Sequence, residues 1–244
     1  MNKSKIAISI DQTLLDLVDS FVDNEKISSR SQAVEYLLKS ALKQRPVTEA
    51  VILMHPNRIN IFFEEFEGFS LIQHHLNFLN QAGIKEIYIV TKINKKLEDL
   101  AKKLTKFKIH LVNQDTPSGT GNALKLVKNN LSNDFIIMNG DTINEFNLRS
   151  MITKHLETGK SVTIGLISSD KPSKFGAVKL DGDLVVDFKE KSGTESFIIN
   201  AGVYLCKPNL KLENIKSLEN DLFPKLAAEK ELVGFFTYGR YYHF

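Results

Sequence analysis

Strict alternation opens the chain. Ile6, Ile8 and Ile10 fall on one side of an extended segment and Lys5, Ala7 and Ser9 on the other, which predicts a half-buried strand over Lys5–Asp11. The period then becomes helical: Leu14, Leu17, Val18, Phe21 and Val22 form an apolar stripe that Asp11 can cap. After a polar stretch from Asp23 to Ser28, Ser29-Arg30-Ser31-Gln32 has capping-box spacing before Ala33, Val34, Leu37, Leu38 and Leu42. The predicted order is strand, helix, helix. A lone strand in a segment of about 45 residues has no ladder partner and too little surface to bury by itself, so it calls for a second copy of the chain.

Arg45-Pro46 with its polar flanks is the best linker, which divides the chain into residues 1–46 and 47–244. Beyond it the apolar positions come in continuous runs, Ala50–Met54, Ile87–Val90, Ile109–Val112, Phe135–Met138 and Val162–Ile167, with helical stretches between several of them. That alternation predicts an α/β domain with a mostly parallel, Rossmann-like sheet and a ligand at the carboxyl ends of its strands.

Composition narrows the class only modestly. With 42% hydrophobic and 25% charged residues the chain of 244 residues belongs with folded, soluble proteins, and its net charge of +3 argues neither for nor against nucleic acid. No run approaches the roughly 18 apolar residues of a membrane span. The start of the chain is polar rather than leader-like, and the single Cys206 allows no internal disulfide, so a cytoplasmic location is expected.

The first segment, with Lys-Ile-Ala-Ile-Ser-Ile-Asp and Ser-Ser-Arg-Ser-Gln-Ala, resembles ribbon-helix-helix domains of the MetJ and Arc class. The resemblance implies a homodimer whose paired strands enter the major groove of double-stranded DNA, with Lys5, Ala7 and Ser9 facing the bases. Ser29, Arg30 and Ser31 would then hold a phosphate at the start of the second helix. The alternative is a dimerisation module that touches no DNA.

In the larger part, Ala82-Gly83-Ile84-Lys85-Glu86-Ile87, Pro117-Ser118-Gly119-Thr120-Gly121-Asn122-Ala123-Leu124, Asn139-Gly140-Asp141, Lys174-Phe175-Gly176-Ala177-Val178, Phe188-Lys189-Glu190-Lys191 and Ile199-Asn200-Ala201-Gly202-Val203-Tyr204 follow in this order. Together they resemble the sugar-1-phosphate nucleotidyltransferases. The resemblance implies that Gln114 reads the nucleobase, that Gly119 and Thr120 form a backbone cradle, and that Gly176, Glu190, Lys191, Asn200 and Gly202 hold the sugar and its phosphate. Against it stands the plainer reading, in which the glycines serve turns and Glu190-Lys191 is a solvated pair.

Two departures weigh against catalysis. Where the family has a glycine-rich phosphate loop, this chain reads Leu53-Met54-His55-Pro56-Asn57-Arg58-Ile59, with no glycine and with a proline that lacks an N–H. His243 stands in place of the second metal-binding aspartate, which leaves Asp141 as the one residue at which Mg²⁺ could bind, although this hard cation prefers oxygen ligands. The resulting expectation is a pseudoenzyme: a DNA-binding transcriptional regulator whose rear domain binds a nucleotide, sugar phosphate or nucleotide sugar, with no catalytic residue, no metal and no cofactor. An active nucleotidyltransferase dimerised by its N-terminal part is the alternative. Phe62, Phe63, Phe66 and Phe69 are expected to pack, and His55, His74, His75, His110 and His155 to serve core or surface roles.

Overall fold

The computed structural model describes residues 6–23, 27–42, 47–191 and 196–244. Lys5 and the Arg45-Pro46 linker lie outside them. The chain divides into two compact units, Met1–Pro46 and Val47–Phe244.

In the first unit, helix α1 (Gln12–Asp19) begins where Asp11 accepts a hydrogen bond from the Thr13 N–H at 2.8 Å, as its position before the apolar stripe predicts. Helix α2 (Arg30–Leu42) starts one residue after Ser29, whose Oγ accepts from the Gln32 N–H at 3.3 Å. The Gln32 side chain reaches back to the Ser28 N–H rather than to Ser29, so the reciprocal box is displaced by one residue. The expected strand is not formed over residues 6–11, where Ile6, Ile8 and Ile10 are exposed. The physical reason is the one that made the segment unusual: one strand cannot satisfy a ladder without a neighbour.

Among its described residues the second unit contains thirteen strands: β1 (Glu49–Leu53), β2 (Glu65–Phe66), β3 (Phe69–Ser70), β4 (Glu86–Thr91), β5 (Lys108–Asn113), β6 (Phe135–Asn139), β7 (Thr142–Asn144), β8 (Val162–Ser168), β9 (Gly176–Asp181), β10 (Leu184–Glu190), β11 (Ile198–Cys206), β12 (Leu232–Phe236) and β13 (Tyr241–His243). Its helices are α3 (Leu71–Gln81), α4 (Lys95–Lys103), α5 (Thr120–Lys125), α6 (Leu148–Thr158) and α7 (Phe223–Ala228). Nine strands form one sheet in the order β5-β4-β1-β6-β11-β8-β12-β10-β9. The first four are parallel, as predicted. From β11 onward the sheet turns mixed: β11 runs antiparallel to both β6 and β8, while β12 is parallel to β8. A further pairing between β11 and β9 closes β11, β8, β12, β10 and β9 into a barrel-like ring.

The sheet is therefore mixed and not mostly parallel. An apolar run covered on both faces reads the same in either direction, so the residues of β8 could not disclose an antiparallel neighbour. Both faces of the open half are covered. Val51 and Leu53 point into one core with Val90, Ile137 and Tyr204, while Ala50, Ile52 and Met54 point into the other with Leu76, Ile87 and Met138. Helix α3 lies on the second face and buries Leu71, Ile72, His75, Leu76, Phe78 and Leu79. It ends at Gly83, whose φ of +85° allows the Ile84 N–H to reach back to the Leu79 carbonyl, a Schellman closure that returns the chain to β4. Among the described residues no helix is long and apolar enough to cross a membrane.

Candidate functional site

The carboxyl ends of β1, β5 and β6 open on a cleft of about 180 Å³ lined by Met54, His55, Gln114, Gly119, Asn139 and Asp141, among others. This is where a parallel sheet places its ligand, because the chain must leave each strand there and loops of different origin converge. A larger hollow of about 410 Å³, bordered by His75, Phe78, Asn144 and Arg240, is a weaker candidate because Arg240 is ion-paired with both Glu67 and Glu145.

The far wall is built by backbone constraint. Gly119 has φ +94° and ψ 156°, and a Cβ there would lie 2.4 Å from the Lys216 carbonyl oxygen. The N–H groups of Gly121 and Asn122 both donate to that same carbonyl, so the first turn of α5 is tied to Lys216. Gln114 is nearly buried and its Nε2 donates to Ser118 Oγ at 2.8 Å, which aims the carboxamide at the cleft rim. Thr120 donates to Glu219 Oε2 at 2.6 Å and accepts from the Leu218 N–H at 2.9 Å.

Glu219 was not foreseen from the sequence. It sits in the π-helical turn Leu218–Leu222, a backbone form frequent at functional sites, and its other oxygen lies 3.5 Å from the Tyr204 hydroxyl. The Tyr204 hydroxyl also accepts from Asn200 Nδ2 at 2.8 Å, while Asn200 Oδ1 accepts from the Gly202 N–H at 2.7 Å. Asn200 thus shapes the bulge in β11 between itself and Tyr204, where Gly202 takes φ +73° with Asn139 about 3.1 Å from any Cβ it might carry.

Glu190, at the end of β10, faces the same wall: a Cβ on Gly176 would lie 2.6 Å from the Phe188 ring and 2.7 Å from Glu190 Oε2, so a glycine suits this close approach. Burial raises the Glu190 carboxyl above the usual range, and the Glu219 charge adds to this against the opposing Lys191. The Tyr241 hydroxyl is pushed up by burial, with Asp141 and Glu190 reinforcing the effect, so these groups share one electrostatic neighbourhood. The structure therefore gathers Gln114, Gly119, Thr120 and Asp141 along one part of the site, and Gly176, Glu190, Asn200 and Gly202 along the other. Lys191 is exposed at φ +46°.

The near wall holds the departures. Residues Pro56–Phe63 form a 3₁₀ helix capped by His55, whose Nδ1 accepts from the Asn57 N–H at 3.3 Å. With Pro56 lacking a donor and the Arg58 N–H bonded to the His55 carbonyl at 2.8 Å, this turn spends its own N–H groups. Phe62 is fully buried beneath Gly140 and Phe66 packs against Tyr242, Phe244 and His74, so these two fill space as expected, whereas Phe69 is half exposed. His75 is buried with Nε2 3.0 Å from the Gly140 carbonyl, and burial pulls its pKa down to about 4. It is a neutral strut under the Gly140–Asp141 loop.

Asp141 does not stand free. Its Oδ2 accepts from Arg58 Nη1 at 2.7 Å, the other end of the guanidinium donates to the Phe244 carbonyl, and His243 Nε2 lies 3.8 Å away. Magnesium requires near-octahedral oxygen coordination and is commonly bound by one or two carboxylates with substrate phosphates. Asp141 is the one carboxylate lining this cleft among the described residues, it is already held by a cation, and no group of three or more His, Cys, Asp or Glu there could hold a metal. The donor set as arranged does not fit a divalent ion.

Arg30, expected on a DNA phosphate, is engaged by Asp19 through two hydrogen bonds of 2.6 Å. Ala7, Ser9, Ser29 and Ser31 are exposed on the small unit.

Comparison with known proteins bears on both expected functions. Residues 57–232 match the family profile described as nucleotidyl transferase. The mannose-1-phosphate guanylyltransferase catalytic subunit beta of Drosophila pseudoobscura pseudoobscura is 31% identical over 185 residues, covering 69% of this chain and 48% of that protein. Mannose-1-phosphate guanylyltransferase 1 of Arabidopsis thaliana is 30% identical over 187 residues, covering 69% of this chain and 50% of that protein. The chain thus spans about half the length of the curated relatives it matches. The crystal structure of HddC from Yersinia pseudotuberculosis superposes with a TM-score of 0.68 at 21% identity, covering 81% of this chain and 93% of that one.

These findings overturn the expectation of a DNA-binding transcriptional regulator with a pseudoenzyme domain: relatives at this identity carry the names of nucleotidyl-transferring enzymes. The missing glycines do not strip the corner of positive charge, because Arg58 delivers a guanidinium to Asp141. The expectation of no cofactor likewise loses its support, because magnesium is usual in this family. From its matched profile and its fold, the chain belongs to the nucleotidyl transferase family.

Proposed function

We propose that the large unit transfers a nucleotidyl group from a nucleoside triphosphate to a sugar-1-phosphate, with GTP and mannose-1-phosphate as the first pair to consider from the names of its relatives. In this reaction a phosphate oxygen of the sugar phosphate bonds to the α-phosphorus, the bond from that phosphorus to the bridging oxygen breaks, and pyrophosphate leaves. Such a transfer depends on positioning and on charge placed around the phosphates more than on a protein nucleophile.

The observation that carries the reading is the convergence of three separate segments, residues 53–56, 114–123 and 139–141, on one cleft at the carboxyl ends of the strands. In this assignment Gln114 meets the base at the rim, and the Gly119–Thr120 turn backs the nucleoside. The Asn200–Gly202 bulge and Glu190 take the sugar, Glu190 as an acceptor for a hydroxyl. Arg58 brings positive charge to the phosphates and Asp141 fixes its direction. Incubating the full chain with GTP and mannose-1-phosphate, and following pyrophosphate together with the nucleotide sugar by anion-exchange chromatography, tests the proposal. Product is expected; none across the five common nucleoside triphosphates combined with mannose-, glucose- and N-acetylglucosamine-1-phosphates would refute it.

We also infer that the small unit joins two copies of the chain in the ribbon-helix-helix manner. Ile6, Ile8, Leu14 and Leu17 are all more than half exposed, an apolar surface that water disfavours and that a second copy would cover. Light scattering at micromolar concentration should give a dimer that Ile8→Asp dissociates, and a monomeric parent chain would remove this assignment.

A further inference from the structure

We propose that the Arg58 guanidinium is a built-in cation that takes the place of a divalent metal on Asp141, so that the cleft binds a nucleoside triphosphate without a metal ion. The inference rests on the proposed reading of the cleft as a nucleotide site, and concerns what neutralises the phosphates there.

Three features of the structure lead to it. First, the carboxylate is engaged. Arg58 Nη1 lies 2.7 Å from Asp141 Oδ2, a charge-assisted bond of the strong kind, and both side chains are partly withdrawn from water, at 37% and 23% exposure. A Mg²⁺ ion bound at about 2.1 Å from the same oxygen would sit against the guanidinium and would have to displace it.

Second, the guanidinium is aimed. Its other terminal nitrogen donates to the Phe244 carbonyl, and the Phe244 N–H in turn donates to the Asp141 carbonyl at 2.9 Å. The side chain is therefore gripped from two directions by the segment that carries His243. A surface arginine held by one carboxylate would swing; this one has a fixed plane, which is what planar recognition of phosphate oxygens uses. Third, the partners are wrong for a metal and right for a cation of this shape. The side chain beside Asp141 Oδ2 is the imidazole of His243, at 3.8 Å, and not a second carboxylate, so the corner lacks the paired oxygen donors a hard divalent ion prefers.

The turn that carries Arg58 explains why the substitution hangs together. His55 and Pro56 leave no train of free N–H groups to cradle the phosphates, so one guanidinium supplies what the backbone cannot. Loss of the glycine loop and occupation of the metal's carboxylate are then two sides of one exchange.

Titration calorimetry on the full chain, with GTP, ATP, CTP, UTP and dTTP each in EDTA and in excess Mg²⁺, tests the proposal. At least one nucleotide is expected to bind with Kd values within about threefold in the two buffers. Arg58→Ala should lose tenfold or more in EDTA and recover at least part of that loss when Mg²⁺ is added, since the freed carboxylate can then accept the ion. Arg58→Lys keeps the charge without the fork and should bind between the two, which together with unchanged circular dichroism separates a charge effect from misfolding. Binding by the parent chain that strengthens more than tenfold with Mg²⁺ overturns the inference while leaving the proposed transferase reading in place. Absence of binding to every nucleotide in both buffers overturns both.

Discussion

Replacing Gly119 with alanine tests how the cleft is built. At φ +94° and ψ 156° the residue occupies a region open essentially to glycine alone, and forcing alanine into it costs about 1–3 kcal/mol. The added methyl would also sit 2.4 Å from the Lys216 carbonyl oxygen, a backbone atom that cannot turn aside, and overpacking of that kind costs about 1–3 kcal/mol more. The two together predict a loss of about 2–6 kcal/mol, against a total stability of about 5–15 kcal/mol for an ordinary domain. At about 2–4 °C per kcal/mol for a unit of this size, the calorimetric midpoint should fall by roughly 5–20 °C. Gly182→Ala is the control: its φ of +58° is also left-handed but nothing lies within 4 Å of the added carbon, so only the conformational cost of about 1–2 kcal/mol applies. Differential scanning calorimetry on both variants decides the matter. If Gly119→Ala melts no lower than Gly182→Ala, then the contact with Lys216 is not what holds this wall.

Acid should weaken the large unit through two buried histidines. His75 and His155 both have pKa values lowered to about 4 by burial, against about 6.5 when unfolded, so the unfolded chain takes up protons first. Their contribution is intact above about pH 6.5 and fades toward pH 4, by as much as roughly 3 kcal/mol each; urea titrations from pH 7.5 to 4.5 should show a shallower decline in His75→Gln, and equal slopes would exclude the effect. Glu219→Gln weakens a charge-assisted bond from Thr120, worth about 1.5–3 kcal/mol in such cases, and should lower nucleotide affinity about tenfold by calorimetry; unchanged affinity would detach Glu219 from the site. Phe223→Ala, which empties a fully buried ring position against Phe188 and Tyr204, should cost about 3–5 kcal/mol in urea unfolding, whereas a loss below 1 kcal/mol would mean that the core there collapses freely.

Much of the site was legible in the residues because glycine carries positional information. Gly119, Gly176 and Gly202 stood out as parts of short strings, and in the structure each is demanded by a positive φ or by a side chain pressed against it. Glu219 was invisible for the opposite reason. A glutamate among Ser217, Leu218 and Asn220 has nothing to distinguish it from a surface residue, and its value comes only from a π-helical turn lying across α5, about a hundred residues earlier in the chain. The engagement of Arg58 with Asp141 was hidden on the same ground. The sequence shows that glycines are missing, but not that a side chain three residues further on reaches Asp141 in their place.

By itself the order of residues determined the parallel half of the sheet. Uninterrupted runs such as Ala50–Met54 and Phe135–Met138 can only be strands covered on both faces, and that property is local. What only the tertiary structure decided is direction and closure: β11 is antiparallel to β6 and β8, pairs also with β9, and completes a ring that no local pattern encodes. The same holds for the charge at Asp141, which is settled by residues 83 and more positions away in the chain. Periodicity along a backbone reports which face is buried, whereas the identity of the neighbour is fixed by packing between distant segments, and that is where the cleft acquires its chemistry.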